Sequence, residues 1–249
     1  MQKFSAIIEA RMNSSRLPGK ILYKANNKPF LWHLIRRLKK VKQINQIILA
    51  TTKNPIDNIL VKEAKKNKIK FFRGEEDNVK KRVLGAAKKF NVKNIVGITS
   101  DCPIIDINLI SQVIDTFKNN NVEFVSNCDF RSYPDGMDVA VYKIQALEKS
   151  YKLTKSKYYR EHVTLFMKHN KRIFKQINIV APSNIFWPEL GLTLDEYKDY
   201  LFLKKIIEYF YKRKNFFFTC EDIIKHLIKN KNWLKINSNI KRKAIEYIC

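Results

Sequence analysis

The chain has 249 residues, 45% of them hydrophobic, and carries a formal charge of +26 from 49 basic and 23 acidic side chains. That is enough to bury a substantial core in one domain, and no apolar run approaches a membrane span or a signal peptide. Cys102, Cys128, Cys220 and Cys249 lie far apart, with no C-x-x-C pair and no clustered histidines, which indicates neither a zinc site nor a disulfide framework and points to a reducing, cytoplasmic compartment.

"FSAIIEA" (4–10) reads as a buried strand. "PFLWHLIRRLKKV" (29–41) follows as a helix with Phe30, Leu31, Leu34, Ile35, Leu38 and Val41 on one face. "QIILATT" is the next strand, then a helix over 56–66, the strand "IKFF", a helix over 79–90, the strand "NIVGIT" and a helix over 108–117. This alternation predicts an α/β fold, a mostly parallel sheet with helices on both faces. The second half is less regular. "DGMDVAVYK" and "RIFKQINIV" read as strands, "TLDEYKDYLFLKKIIEYFY" as a long helix after an acidic start, and "CEDIIKHLIKN" as a last helix before a basic tail. Residues 1–215 are expected to form the main domain and 216–249 a helical appendage of it.

Parallel sheets of this kind bind ligands at the carboxyl edge of their strands. Two unlike loops fall there. "EARMNSSRLPGK" (9–20) crowds Arg11, Arg16 and Lys20, whose repulsion needs an anion or a nearby carboxylate to offset it. With one glycine, Gly19, the loop is not a glycine-rich phosphate cradle, so side chains must share the task with amides. Arg11 and Arg16 suit forked contacts to phosphate, Lys20 a point charge, and Ser14 or Ser15 a hydroxyl donor. A solvated basic loop is the alternative reading. The second loop, "TSDCP", brings Asp101 to a strand end, and Asp195 opens the later helix. The two carboxylates could hold Mg²⁺ with substrate phosphates, although Asp195 also fits a helix cap. Arg242, in the basic tail, is expected on the remote surface.

"EARMNSSRLPGKIL" resembles the signature of the cytidylyltransferases that activate acidic sugars, including the 3-deoxy-manno-octulosonate and acylneuraminate enzymes and the spore-coat polysaccharide branch. "LATT", "FFRGEEDNVKKR", "ITSDCPIID", "YPDGMDV", "REHVT", "LTLDEYKDY" and "TCEDIIKHLIKN" follow in the order of that branch. The resemblance implies a Rossmann-like nucleotidyltransferase fold, a homodimer, Mg²⁺ dependence, and transfer of CMP from CTP to a sugar for surface polysaccharide or glycan synthesis. It assigns Arg11, Ser14, Arg16 and Lys20 to the triphosphate, Asp101 and Asp195 to Mg²⁺, and Asp135, Asp138, Arg160, Glu161 and His162 to the sugar side. His162 alone would read as a packed or capping histidine. The chain departs from the family pattern at Gly97 and Gly191, where relatives often carry arginine, at Ser100, where they carry glycine, and at Ala140, where they often carry glutamate.

Two rival readings stand beside this one. A guanylyl- or other nucleotidyltransferase acting on a sugar 1-phosphate would share the fold. A nucleic-acid-binding protein would explain the charge, but no aromatic and basic module of that kind is present, and the excess of lysine fits compositional drift.

Overall fold

The computed structural model describes residues 2–242. In chain order the strands and α-helices are β1 (Phe4–Glu9), β2 (Lys24–Ala25), β3 (Lys28–Pro29), α1 (Phe30–Leu38), β4 (Ile44–Thr52), α2 (Asn58–Lys66), β5 (Lys70–Gly74), α3 (Val79–Lys89) and β6 (Asn94–Thr99). They continue with α4 (Ile107–Asn119), β7 (Phe124–Ser126), β8 (Ala140–Lys143), α5 (Ile144–Leu153), α6 (Lys157–Glu161), α7 (Leu165–His169), β9 (Gln176–Asn178), α8 (Tyr197–Lys212) and α9 (Cys220–Lys229).

Seven strands form one sheet in the order β5-β4-β1-β6-β8-β7-β9, in which only β8 runs against its neighbours. The alternation of β1 shows why both faces are covered. Phe4, Ala6 and Ile8 join the core beneath α1, α4, α8 and α9, while Ile7 joins a second core beneath α3, α5 and α7. β4 and β6 divide in the same way, with Leu49 and Val96 on the first face and Ile48 and Ile95 on the second.

The strand order sets the site. From β1 the chain steps outward through β4 to β5, then crosses back to β6 on the other side of β1. The crevice outside the carboxyl ends of β1 and β6 is therefore the place where such sheets take ligands. The pairing runs on past the strands, since Ser100 donates its N–H to the Glu9 carbonyl at 3.1 Å.

Several expected elements are shorter in the structure, for local reasons. In "DGMDVAVYK" only Ala140–Lys143 is strand. Gly136 sits at φ 100°, and a Cβ there would meet the Leu192 backbone at 2.4 Å, so the 135–139 segment is a close-packed turn. "RIFKQINIV" contributes only Gln176–Asn178, and α8 starts at Tyr197, later than its acidic lead-in. The β2–β3 hairpin was not foreseen; Asn26 and Asn27, at φ 47° and 60°, make its turn.

The chain beyond 215 packs into the first core through Phe218, Cys220, Ile223, Ile224 and Leu227. Asp106 ties it to α4: one carboxylate oxygen accepts the Asn108 N–H at 2.8 Å and the other the Cys220 N–H at 2.7 Å. Residues 243–249, including Cys249, belong to the expected appendage and lie outside the described residues.

Candidate active site

The loop after β1 is shaped by one carbonyl and one buried carboxylate. Met12 O accepts the N–H groups of Ser14 and Gly19, both at 2.9 Å, and Gly19 at φ 67° turns the chain into a short 3-10 helix at Lys20–Leu22. Asp57, which is 1% exposed, accepts the Met12 N–H at 2.8 Å and the Thr51 hydroxyl at 3.1 Å, and also takes the Thr52 N–H and hydroxyl. The loop is thereby fastened to the end of β4. Leu17 is buried, and Arg11, Ser14, Ser15 and Arg16 stand on the solvent side, at least partly exposed.

Nearby carboxylates offset the crowded charge of Arg16 and Lys20. Lys20 Nζ lies 2.9 Å from Asp195 Oδ1 and 3.4 Å from Asp101 Oδ2, and Arg16 Nη2 lies 2.8 Å from the same Asp195 oxygen. Burial alone would lower the Lys20 ammonium, but Asp101 and Asp195 outweigh it and hold it above its ordinary value. For Asp195, burial would raise the carboxyl, and Lys20 and Arg16 reverse this and hold it below.

Backbone contacts bring the two acids together. Leu194 donates its N–H to the Asp101 carbonyl at 2.8 Å, which stitches the segment before α8 to the loop after β6. Asp195 is not a helix cap. Glu196 is the N-cap, and Asp199 accepts the N–H groups of both Asp195 and Glu196, at 3.2 and 3.0 Å. The Asp195 side chain therefore faces the crevice.

Beside this cluster lies a cavity of about 770 Å³ whose lining includes Arg16, Asp101, Arg131, Asp135, Asp138, His162, Asp195 and Arg242. A second cavity of about 590 Å³ meets it at Thr99, Asp138 and His162, and is lined by Glu9, Tyr142, Glu161 and Lys168 among others. Arg131 reaches both Asp135 and Asp138, at 3.2 and 3.4 Å. Burial raises both carboxyls above the usual range; their mutual repulsion adds to this at Asp135, and Arg131 acts against it.

Of the residues expected on the sugar side, Asp135, Asp138, Glu161 and His162 line these cavities. Arg160 lines neither and stacks over Tyr151, its Cζ 5.1 Å from the ring.

The departures from the family pattern have local counterparts. A Cβ on Gly97 would lie 3.1 Å from the Tyr142 ring, so that ring fills the space beside it. At Gly191 an added Cβ would fall 1.6 Å from Arg242 Nη2. Arg242 is thus not on the remote surface: the tail returns to the crevice, and Leu234, Asn237 and Ile240 line the larger cavity with it.

Sequence reasoning missed Asp57, Arg131, Arg242 and the pair Glu9 and Arg82. Arg82 is 2% exposed and donates to the Glu75 and Glu76 carbonyls. An acid closing the strand "FSAIIE" was the available signal for Glu9. Asp57 and Arg242 act across the fold and leave no local pattern, whereas Arg131 pairs with Asp135 and Asp138 a few residues on, a charge spacing present in "RSYPDGMD". Among the described residues no three of His, Cys, Asp and Glu gather as a metal site, so a divalent cation here would have two carboxylates and would need oxygens from substrate.

A family model described as cytidylyltransferase matches residues 5–245. An uncharacterised protein of Methanocaldococcus jannaschii is 35% identical over 242 residues, 97% of each chain. The spore coat polysaccharide biosynthesis protein SpsF of Bacillus subtilis is 26% identical over 212 residues, 81% of this chain and 85% of that one. Among solved structures, a cytidylyltransferase from Leptospira borgpetersenii serovar Hardjo-bovis superposes with a TM-score of 0.89 at 33% identity, across 97% of this chain and 99% of that one.

Proposed function

This chain belongs to the cytidylyltransferase family, and from that premise we propose that it transfers CMP from CTP to an acidic sugar, releasing pyrophosphate, in the making of a surface polysaccharide or glycan. One observation carries the reading: a single ammonium, Lys20, reaches two carboxylates, Asp101 and Asp195, at the carboxyl edge of the sheet. Two carboxylates converging on one cation fit a hard divalent ion completed by substrate phosphates, and Asp101 and Asp195 would hold Mg²⁺. When bound, that ion would supply positive charge against the phosphate oxygens.

The remaining work falls to the chain itself. Arg11 and Arg16, with the Ser14 and Ser15 hydroxyls, bind the triphosphate from the loop after β1. A sugar hydroxyl oxygen forms a bond to the α-phosphorus as the bond to pyrophosphate breaks, and Lys20 neutralises the charge moving onto the leaving group. The hydroxyl proton passes toward Asp135 and Asp138, whose proton affinity burial has raised. Holding two anionic reactants against their repulsion is the larger part of the task, and cations on both sides of the crevice suit it.

The acidic acceptor is supported by the motif series shared with acid-sugar enzymes, and the polysaccharide context by the likeness to SpsF. The same resemblance supports a homodimer, which light scattering of the purified protein tests, and a cytoplasmic setting. Among the described residues no helix is long and apolar enough to cross a membrane.

The deciding experiment is pyrophosphate release across the four NTPs, with 3-deoxy-manno-octulosonate, N-acetylneuraminate and a set of sugar 1-phosphates as acceptors. CTP with an acidic sugar should give the signal. Release that requires GTP and a sugar 1-phosphate would instead assign guanylyl transfer.

A further inference from the structure

Arg242 occupies volume that belongs, in the backbone's geometry, to position 191. A Cβ built on Gly191 would lie 1.6 Å from Arg242 Nη2, 1.9 Å from Cζ and 2.2 Å from Nε. Any other residue at 191 would evict the guanidinium. The group is aimed by Asp199, whose Oδ1 accepts from Nη2 at 2.9 Å, while Nη1 stands 3.6 Å from Asp135 Oδ2. Nη1 is buried and has no hydrogen-bond acceptor.

The other cations of the larger cavity are differently committed. Arg131 is shared between Asp135 and Asp138, and Arg16 is drawn to Asp195. The lining also carries Asp101 and Glu189, so an anionic acceptor would meet repulsion unless a cation with unused donors stood close to it. Arg242 meets that need. A guanidinium is planar, gives up its hydration more readily than an ammonium, and can fork onto a carboxylate.

We propose that Arg242 recognises the acceptor's carboxylate, and that residue 191 is glycine because the guanidinium must lie there. The proposal rests on the acidic-sugar reading above and names the residue that selects the acid.

The test compares wild type with Arg242→Ala, Arg242→Lys, Gly191→Ala and the double variant Gly191→Ala/Arg242→Ala. The probes are 3-deoxy-manno-octulosonate and N-acetylneuraminate, each beside its carboxyl-reduced alcohol, with melting temperature measured in parallel. Arg242→Ala should raise KM for the accepted acid about ten- to hundredfold, the loss expected of a charge-assisted contact, and leave KM for CTP unchanged. It should also erase the preference for the acid over its alcohol, which a merely structural role would not do. Gly191→Ala should reproduce this by displacing the guanidinium, and the double variant should be no worse than either single one. If Arg242→Ala fails to fold, Gly191→Ala and Arg242→Lys carry the comparison. An unchanged acid-to-alcohol preference in folded variants overturns the role of Arg242 alone. A wild-type enzyme that turns over neither acid overturns the acidic-sugar reading, and the role of Arg242 with it.

Discussion

Asp199 accepts the backbone N–H of Asp195, four residues before it, and this bond fixes the backbone from which the Asp195 carboxylate reaches Lys20. The same fully buried carboxylate takes the Glu196 N–H, the Asn237 amide and Arg242 Nη2. One side chain thus joins the start of α8, the returning tail and the crevice. Removing one partner of a buried ion pair costs about 3–5 kcal/mol, because the other charge is left uncompensated. Asp199→Ala should therefore lower stability by that order and loosen the tail, as read from urea unfolding midpoints and from protease cutting after residue 230. An unfolding curve that overlays wild type would remove Asp199 from this role.

Asp101→Asn and Asp195→Asn should each abolish turnover while leaving the fold intact. Neither side chain caps a helix, so the capping loss of about 1 kcal/mol that an N-cap acid would bring is not expected at Asp195. The Asp195 carboxyl is held below its ordinary value, so its ion pairs contribute stability above the unfolded carboxyl's pKa, and that contribution is lost as pH falls through the folded value. At neutral pH Asp195→Asn should melt lower than wild type, and the gap should close in acid. Full activity in either variant would take that residue out of the mechanism.

Arg16→Ala should weaken CTP binding, measured by calorimetry, about ten- to hundredfold, because a charge-assisted phosphate contact is worth roughly 1.5–3 kcal/mol. The control must be a truly remote arginine. Arg242 does not qualify, since it lines the cavity; Arg172, exposed just before β9, does. Equal affinities for Arg16→Ala and Arg172→Ala would return the loop to a solvated basic face.

The parts of this molecule that repeat locally were legible in its sequence. The short, mainly apolar runs "FSAIIE" and "QIILATT" announced buried strands, the apolar stripe from Phe30 to Leu38 announced α1, and the ordered motifs announced the family that the match over residues 5–245 bears out. Contacts made across the fold left no local trace. Asp57 lies 45 residues from the Met12 amide it holds, and Arg242 sits 43 residues beyond the Asp199 that aims it. The glycine at 191 read as a missing cation because sequence shows which side chain a position lacks, and not what another segment puts in its place. Strand ends were misjudged where tertiary packing overrode propensity, as at Gly136, pressed against Leu192.

Glu9 closes β1 and lines the smaller cavity with Tyr142, whose hydroxyl is buried without a hydrogen-bond partner. The residue keeps some exposure, but its carboxyl lies deep. Burial pushes it up to about 7, with Asp101 adding to the effect and Arg82 opposing it. A carboxyl that holds its proton more tightly in the folded chain favours folding below the unfolded pKa. Stability then declines as pH rises through the folded value, because the native state must either keep a proton the solvent no longer supplies or bury a charge. A shift of this size corresponds to roughly 3–4 kcal/mol between the two limits. Glu9→Gln cannot ionise and keeps the shape, so it should match wild type near pH 4 and melt higher near pH 8, with the difference opening between pH 5 and 8. A difference that is flat across that range, or one that grows toward acid, would show that Glu9 is ionised in the folded protein and held by Arg82.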